Sequence, residues 1–380
     1  YADSDLGRRG SVDVAGTLGL RASAALELDR AVTAPGGRLL NSGSLFISAS
    51  LDNGGEVINR GRLTAIHLDN HGAFTSRGEL ALGWPGDPAA RFVNRGSFQH
   101  LGGTLLLAGG EGGVLAVDNL AGAELRLAGA QAGRMALVNQ GRVVVERGAD
   151  LLATTVRQEA GELRVDGTLD ADATEVLGGT LGGTGVVGGA VRIADEAVGD
   201  NGLRPGTRLR PGLAGPADAA TGPAGPGGSG LLFLGPVHLA SIDQGVVIEI
   251  DIASAESFGQ LRFQGGLQVD LGTRLQLVLQ DGFRPGADLV LPLLHFDPLQ
   301  TDVTGLQYLV GGATVWQRQA WGDTPWQGSA WSLALEEGRL DLHLAAAPVP
   351  EPATWALLGA GLAGLLAAAR RRRGHGHQPT

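Results

Sequence analysis

The 380-residue chain contains no cysteine, and aromatic residues make up only 4% of it. Without Cys there can be no disulfide, no thiolate metal site and no Cys nucleophile, so stability must come from packing and backbone pairing. Lys is also missing: every one of the 29 basic residues is Arg. The formal charge is −10, and since Arg370, Arg371, Arg372 and Arg373 have no acid after Ala369, residues 1–369 carry −14. An acidic body repels phosphate backbones, which argues against nucleic acid as a partner. Ligand spacings are lacking as well. His67 and His71 lie four apart across an expected corner, and there is no His-Glu-x-x-His and no Gly-x-Ser-x-Gly. Gly183-x-Gly185-x-x-Gly188 and Gly359-x-Gly361-x-x-Gly364 match a dinucleotide fingerprint only in spelling. Neither follows a strand and opens a helix with an acid about 20 residues on, so no cofactor is implied. Met135 is the only Met and the chain begins at Tyr1, which suggests that a secretory signal peptide has been removed.

What the chain does have is glycine, 64 residues of it, and a repeated phrase. Asn41-Ser-Gly, Asn59-Arg-Gly, Asn70-His-Gly, Asn94-Arg-Gly and Asn139-Gln-Gly each stand between short runs that alternate apolar and polar residues. Alternation is the strand signature, and Asn and Gly tolerate the positive φ of tight corners. Asn70 to Asn94 is 24 residues, Asn94 to Asn119 is 25 and Asn119 to Asn139 is 20, with echoes of 12 between Asn41 and Asn53 and 11 between Asn59 and Asn70. A period near 20 to 25 predicts an all-β fold, an Asn/Gly-cornered right-handed parallel β-helix, over residues 1–195. An antiparallel meander is the alternative, but few runs are joined by two-residue hairpin loops. About seven coils are expected between Leu39 and Ala194, roughly 35 Å of rod at ~4.8 Å per coil. Leu6 to Arg30, which lacks the Asn-x-Gly corner, is expected to cap the first coil.

Residues 196–230 hold Pro205, Pro211, Pro216, Pro223 and Pro226 with no apolar period, and read as a Gly/Pro/Ala-rich linker. Strands return over 231–347 as a β-rich cap, either sandwich-like or a continued β-helix. Within it Trp331 to Glu336 and Arg339 to Leu344 form an expected antiparallel hairpin, with Glu337-Gly338 as its turn and Trp331, Leu333, Leu335, Leu340, Leu342 and Leu344 on one buried face.

Residues 348–373 are of another kind. Val349-Pro350-Glu351-Pro352 precedes an uncharged apolar run over residues 353–369, then the four Arg. As a helix the run spans roughly 25 Å, enough for a thin bilayer, and the Arg block places the preceding body on the far side from the cytoplasm. Together these residues resemble the PEP-CTERM sorting signal of Gram-negative envelope proteins. The resemblance implies a transient transmembrane helix, recognition by an exosortase and cleavage near Pro350-Glu351-Pro352, by a logic parallel to lipid-anchor signals. Residues 176–191, followed by Leu203-Arg-Pro-Gly, resemble repeats in autotransporter passenger domains and in PEP-CTERM proteins, which again implies an exported β-helical rod.

Candidate chemistry is sparse. Asp166, Asp170 and Asp172 could serve a β-helix as acid, base or Ca²⁺ ligands, with Asp170 and Asp172 on one strand face, although acids beside Gly are more simply solvated turn residues. Glu249 and Asp251 alternate with Ile248, Ile250 and Ile252 and read as the wet face of a half-buried strand. Trp321 and Trp326, beside Gly322, Asp323 and Pro325, are candidate carbohydrate contacts on a loop. The expected function is that of an exported envelope or exopolysaccharide-matrix protein, structural or adhesive and non-enzymatic. The alternatives are a β-helical polysaccharide lyase or hydrolase, and a carbohydrate-binding surface protein.

Overall fold

A computed structural model describes residues 10–109, 111–194, 206–212, 230–240, 245–270, 272–279, 288–302, 307–311, 319–320, 326–328, 331–336 and 338–344. The alternating runs are strands whose apolar members point inward: Glu56–Asn59 and Glu79–Leu82 both bury every second residue. Within the coils, consecutive runs do not pair with each other. Arg38–Asn41 pairs in parallel with Glu56–Asn59, which pairs in parallel with Ala73–Ser76. Between them run the longer strands Ser44–Asn53 and Arg62–Asn70, which pair in parallel in a second sheet. Each turn of chain therefore contributes one short strand to one sheet and one long, bent strand to the other, which is the geometry of stacked coils.

The short-strand sheet has fourteen strands, and only its last pair, Gln307–Gly311 with Gln319–Ala320, is antiparallel. Thirteen parallel rungs remain, so the stack measures roughly 58 Å from first to last at ~4.8 Å per rung. Its inward column runs Leu39, Val57, Phe74, Phe98, Leu125, Val143, Leu163, Leu181, Leu209, Ile248 and Leu275, each at most 1% exposed. Phe74 and Phe98 stack with ring centres 5.0 Å apart. Burying each such side chain contributes about 1.5–3 kcal/mol, repeated at every rung.

The Asn residues fall into two ladders, which accounts for the echo in the sequence spacing. Asn41 donates to Asn59 at 2.8 Å and Asn59 to Ser76 at 3.1 Å at one corner. At another, Asn53, Asn70, Asn94, Asn119 and Asn139 donate each to the next at 2.7–2.8 Å, and Asn139 ends the row on Gln158. Corner glycine has a different cause from the one expected. Gly72 is not among the positive-φ residues. A Cβ on it would lie 2.0 Å from the Gly55 carbonyl oxygen of the coil before, so stacked corners approach too closely for any side chain.

Three expectations change. From residue 10 on, the stretch expected as a cap joins the stack instead: Gly10–Val14 and Thr17–Leu20 pair in parallel with Ala25–Thr33 and Arg38–Asn41 as ordinary rungs, and Thr33 takes the position that Asn53 holds in the next coil, while residues 6–9 lie outside the described residues. The 196–230 segment is not wholly a linker, because Arg208–Pro211 is a rung between Thr180–Gly183 and Val247–Ile252. On the other sheet Val186–Ala194 pairs directly with Leu231–Phe233 and Val237–Ala240, so the boundary expected there is crossed by continuous ladders. The described residues between 231 and 311 thus continue the coils, and apart from an isolated antiparallel bridge between Ile252 and Phe258, antiparallel strand pairing begins among them where Leu289–Phe296 meets Arg339–Leu344.

The expected hairpin of Trp331–Glu336 with Arg339–Leu344 forms. Leu333, Leu340, Leu342 and Leu344 are buried, but Leu335 is 46% exposed. The neighbouring strand Trp326–Gly328 pairs only with 331–333 and leaves Leu335 beyond its reach. The apolar span over 353–369 lies outside the described residues, and no helix among the described residues is long and apolar enough to cross a membrane.

Candidate binding groove

The long strand of each coil bends once, and the number of residues at the bend decides the shape of the surface there. Between the paired positions Leu151/Leu169 and Val156/Thr174 each coil spends four residues. The next three coils spend only three: Gly188–Ala190, Leu234–Pro236 and Gln264–Gly266. The following coil returns to four, Asp297–Gln300, in a short 3-10 turn. Three short corners between longer ones form a recess of about 400 Å³, open to solvent and lined from Ala173 at one end to Gln300 at the other.

Shortening is possible because the corners are nearly all backbone. Gly189 has φ +73°, and a Cβ on Gly235 would stand 1.9 Å from the Gly189 carbonyl oxygen. One wall is an outward row with one residue per coil, Glu175, Arg192, His238 and Gln268, in direct register. His238 Nε2 lies 2.9 Å from Asp270 Oδ2, and Glu175 lies 3.8 Å from Arg157. Leu234 and Leu299, on the same corners, are 48% and 93% exposed but do not line the recess.

None of the acids singled out in the sequence lines this recess. Asp166 closes a corner, accepting from Arg164 at 2.6 Å and from the Thr184 backbone at 3.2 Å. Asp170 and Asp172 share an outward face as expected, and Asp172 pairs with Arg134 at 2.8 Å. Glu249 and Asp251 are not a wet face: they are 5% and 6% exposed. Arg208 reaches Glu249 at 2.9 Å and Arg210 reaches Asp251 at 2.7 Å from the adjacent rung, folding two guanidinium groups over both carboxylates. Asp251 in turn raises the Arg210 pKa through that hydrogen bond. Among the described residues no group of three or more His, Asp or Glu is placed to hold a metal ion.

His71 lies 3.2 Å from Asp69 at its corner, and His67 sits within Arg62–Asn70. Trp321 lies outside the described residues. Trp326 opens the strand Trp326–Gly328, and its side chain is not described. Val349, Pro350, Glu351, Pro352 and Arg370 to Arg373 also lie outside the described residues.

Sequence reasoning missed the Glu175, Arg192, His238 and Gln268 row. Arg192 and His238 are 46 positions apart in the sequence yet neighbours on the ladder, because the intervening coil carries a long insertion. The available signal was the step from a four-residue to a three-residue bend at Gly188-Gly189, and it is readable only once the rungs are aligned.

Residues 348–373 match the family model described as the PEP-CTERM protein-sorting motif. No curated protein and no solved structure matches the chain.

Proposed function

We propose, for a chain that carries the PEP-CTERM protein-sorting motif and is therefore an exported substrate of exosortase, that its body is a structural or adhesive element of the Gram-negative cell envelope or its exopolysaccharide matrix. The observation that carries this reading is the motif at 348–373 standing behind a stack of parallel coils that continues from residue 10 to residue 311. Stacked coils present long lateral faces at constant spacing, which suits a spacer or a contact surface. Residues 353–369 hold the protein in the inner membrane until processing near Pro350-Glu351-Pro352.

The reading is non-enzymatic. Its support is that many acids are tied up in ion pairs with Arg of neighbouring coils, such as Arg38 with Glu56, Arg62 with Glu79, Arg126 with Glu146 and Arg142 with Glu162. Exposed pairs of this sort contribute little to stability and serve to hold a solvated face in order. A carbohydrate-contacting role is the second reading, and the recess at Ala173 to Gln300 is what favours it.

Fractionation of an exosortase-bearing Gram-negative host, with intact mass of the recovered protein, tests the proposal. The full chain is expected at the envelope or matrix, shortened near Pro350 to Pro352. A chain lacking 348–373 is expected in the medium or periplasm, and its retention at the envelope would overturn the sorting assignment. Depolymerisation of a polysaccharide by the purified chain would overturn the non-enzymatic one.

A further inference from the structure

We infer that the recess between Ala173 and Gln300 binds a neutral polysaccharide laid along the rod axis, one sugar to a coil. The inference deepens the adhesive part of the proposed function and rests on it for biological sense, but not for its geometry. The recess falls in the ~300–1,000 Å³ range of small-ligand sites, at about 400 Å³. Its wall repeats a hydrogen-bonding side chain at every rung: Glu175, Arg192, His238, Gln268. A polysaccharide repeats its hydroxyls once per sugar ring, at a length close to the ~4.8 Å rung spacing, so a row of polar groups on one matches a row on the other without adjustment. At the corners the recess is lined by Ala190, Pro236, Gly265 and Gly266, small side chains or none, so a flat ring can lie close to the backbone there.

Charge and topology select among ligands. Glu175 and Asp270 stand against Arg192 and His238, and the chain as a whole carries −10, so a polyanion gains nothing on this surface. An extended peptide would need a free strand edge. Val186–Ala194 and Val237–Ala240 are already paired on both sides, so the recess offers none. Ala190 and Pro236 on the corners suit the apolar C–H faces of a sugar ring. His238, held through Nε2 by Asp270, is fixed for contact through its other ring nitrogen.

Affinity electrophoresis of the full chain in detergent tests the site, in native gels cast with soluble mixed-linkage β-glucan, with galactomannan, and with alginate as the polyanion. Retardation in a neutral gel, with affinity reduced roughly tenfold or more by Arg192→Ala combined with Gln268→Ala, is expected from loss of two ligand hydrogen bonds. Ala190→Trp, which fills the recess from an exposed corner, is expected to abolish retardation, while Arg142→Ala on the other sheet leaves it unchanged. Three results would each overturn the inference: no retardation in either neutral gel, retardation in alginate alone, or equal retardation of wild type and the recess variants. Because binding is read on purified protein, its failure is distinct from a failure of sorting, which is read by fractionation.

Discussion

Asn94 donates through Nδ2 to Asn119 Oδ1 at 2.7 Å and to the Glu124 carbonyl at 2.8 Å, although 25 residues separate the two asparagines. They occupy the same position in consecutive coils, and both are fully buried. A carboxamide has two N–H donors and one carbonyl oxygen, so it can give one hydrogen bond to the next side chain and one to the next backbone while accepting from the coil before. Asn70 supplies that incoming bond at 2.8 Å. The row is thus directional, and each member satisfies its neighbour.

Asn94→Ala should therefore cost more than the loss of one average hydrogen bond. It strands an Asn70 donor, the Asn119 oxygen and the Glu124 carbonyl in a buried corner, where each unmet group costs about 1–3 kcal/mol. We expect a loss of roughly 3 kcal/mol in urea unfolding, allowing for partial relaxation. Asn94→Asp keeps the size but places a charge with no cation beside it, and should be worse at neutral pH. A loss under about 1 kcal/mol for Asn94→Ala would mean that the ladder decorates the coil without holding it.

Much of this fold is legible in the sequence, for a physical reason: a coil shows its corners through residue chemistry and its faces through alternation. Asn41, Asn59, Asn70, Asn94 and Asn139 mark true corners, and the alternation at Leu340, Leu342 and Leu344 marks a true buried face. Partner choice is what the sequence conceals. Arg208-Leu-Arg-Pro211 sits in Pro/Gly-rich text and looks like linker, yet Leu209 is fully buried and in register with Leu181 and Ile248. Glu249 and Asp251 look solvated for the same reason, since the arginines that cover them come from that rung. The recess is hidden more deeply still, because it arises from coils of unequal length.

Continuity across Arg208–Pro211 predicts a specific exchange pattern. The Arg208 amide donates to the Gly179 carbonyl at 2.8 Å and the Gly212 amide to Gly183 at 2.8 Å, so this rung should be protected like Arg142–Val145. Hydrogen exchange read by mass spectrometry is expected to show slow exchange over 208–212. Arg210→Ala, which uncovers Asp251 and Glu249, should cost about 2 kcal/mol, discounted because the Arg side chain is itself half exposed. It should also raise exchange in 247–252. Complete exchange of 208–212 within seconds in the wild type would restore the linker and split the rod in two.

His100 gives the rod a defined response to acid. It follows Ser76 at the end of the short-strand column, precedes Leu127, and is 1% exposed. The ring is closely roofed: a Cβ on Gly129 would lie 2.6 Å from His100 Nε2. Burial pushes the imidazole below its ordinary value of 6.5, with the Gly103 backbone opposing the shift in part. His295 is lowered in the same direction, by burial first and then by Arg262 and Arg339. A base whose folded pKa is depressed stays neutral in the fold while the unfolded chain takes up a proton. Stability is then full above about pH 6.5 and declines as pH falls below it, by at most about 1.4 kcal/mol per pH unit for one proton. His100→Leu keeps an apolar filler like Leu127 and removes the titration, leaving His295 and the paired carboxylates to act alike in both proteins. Urea midpoints at pH 7.5 and 5.5 should show a smaller acid loss in His100→Leu than in wild type, with little difference between them at pH 7.5. Equal acid losses in the two proteins would show that His100 reaches solvent before the rod unfolds.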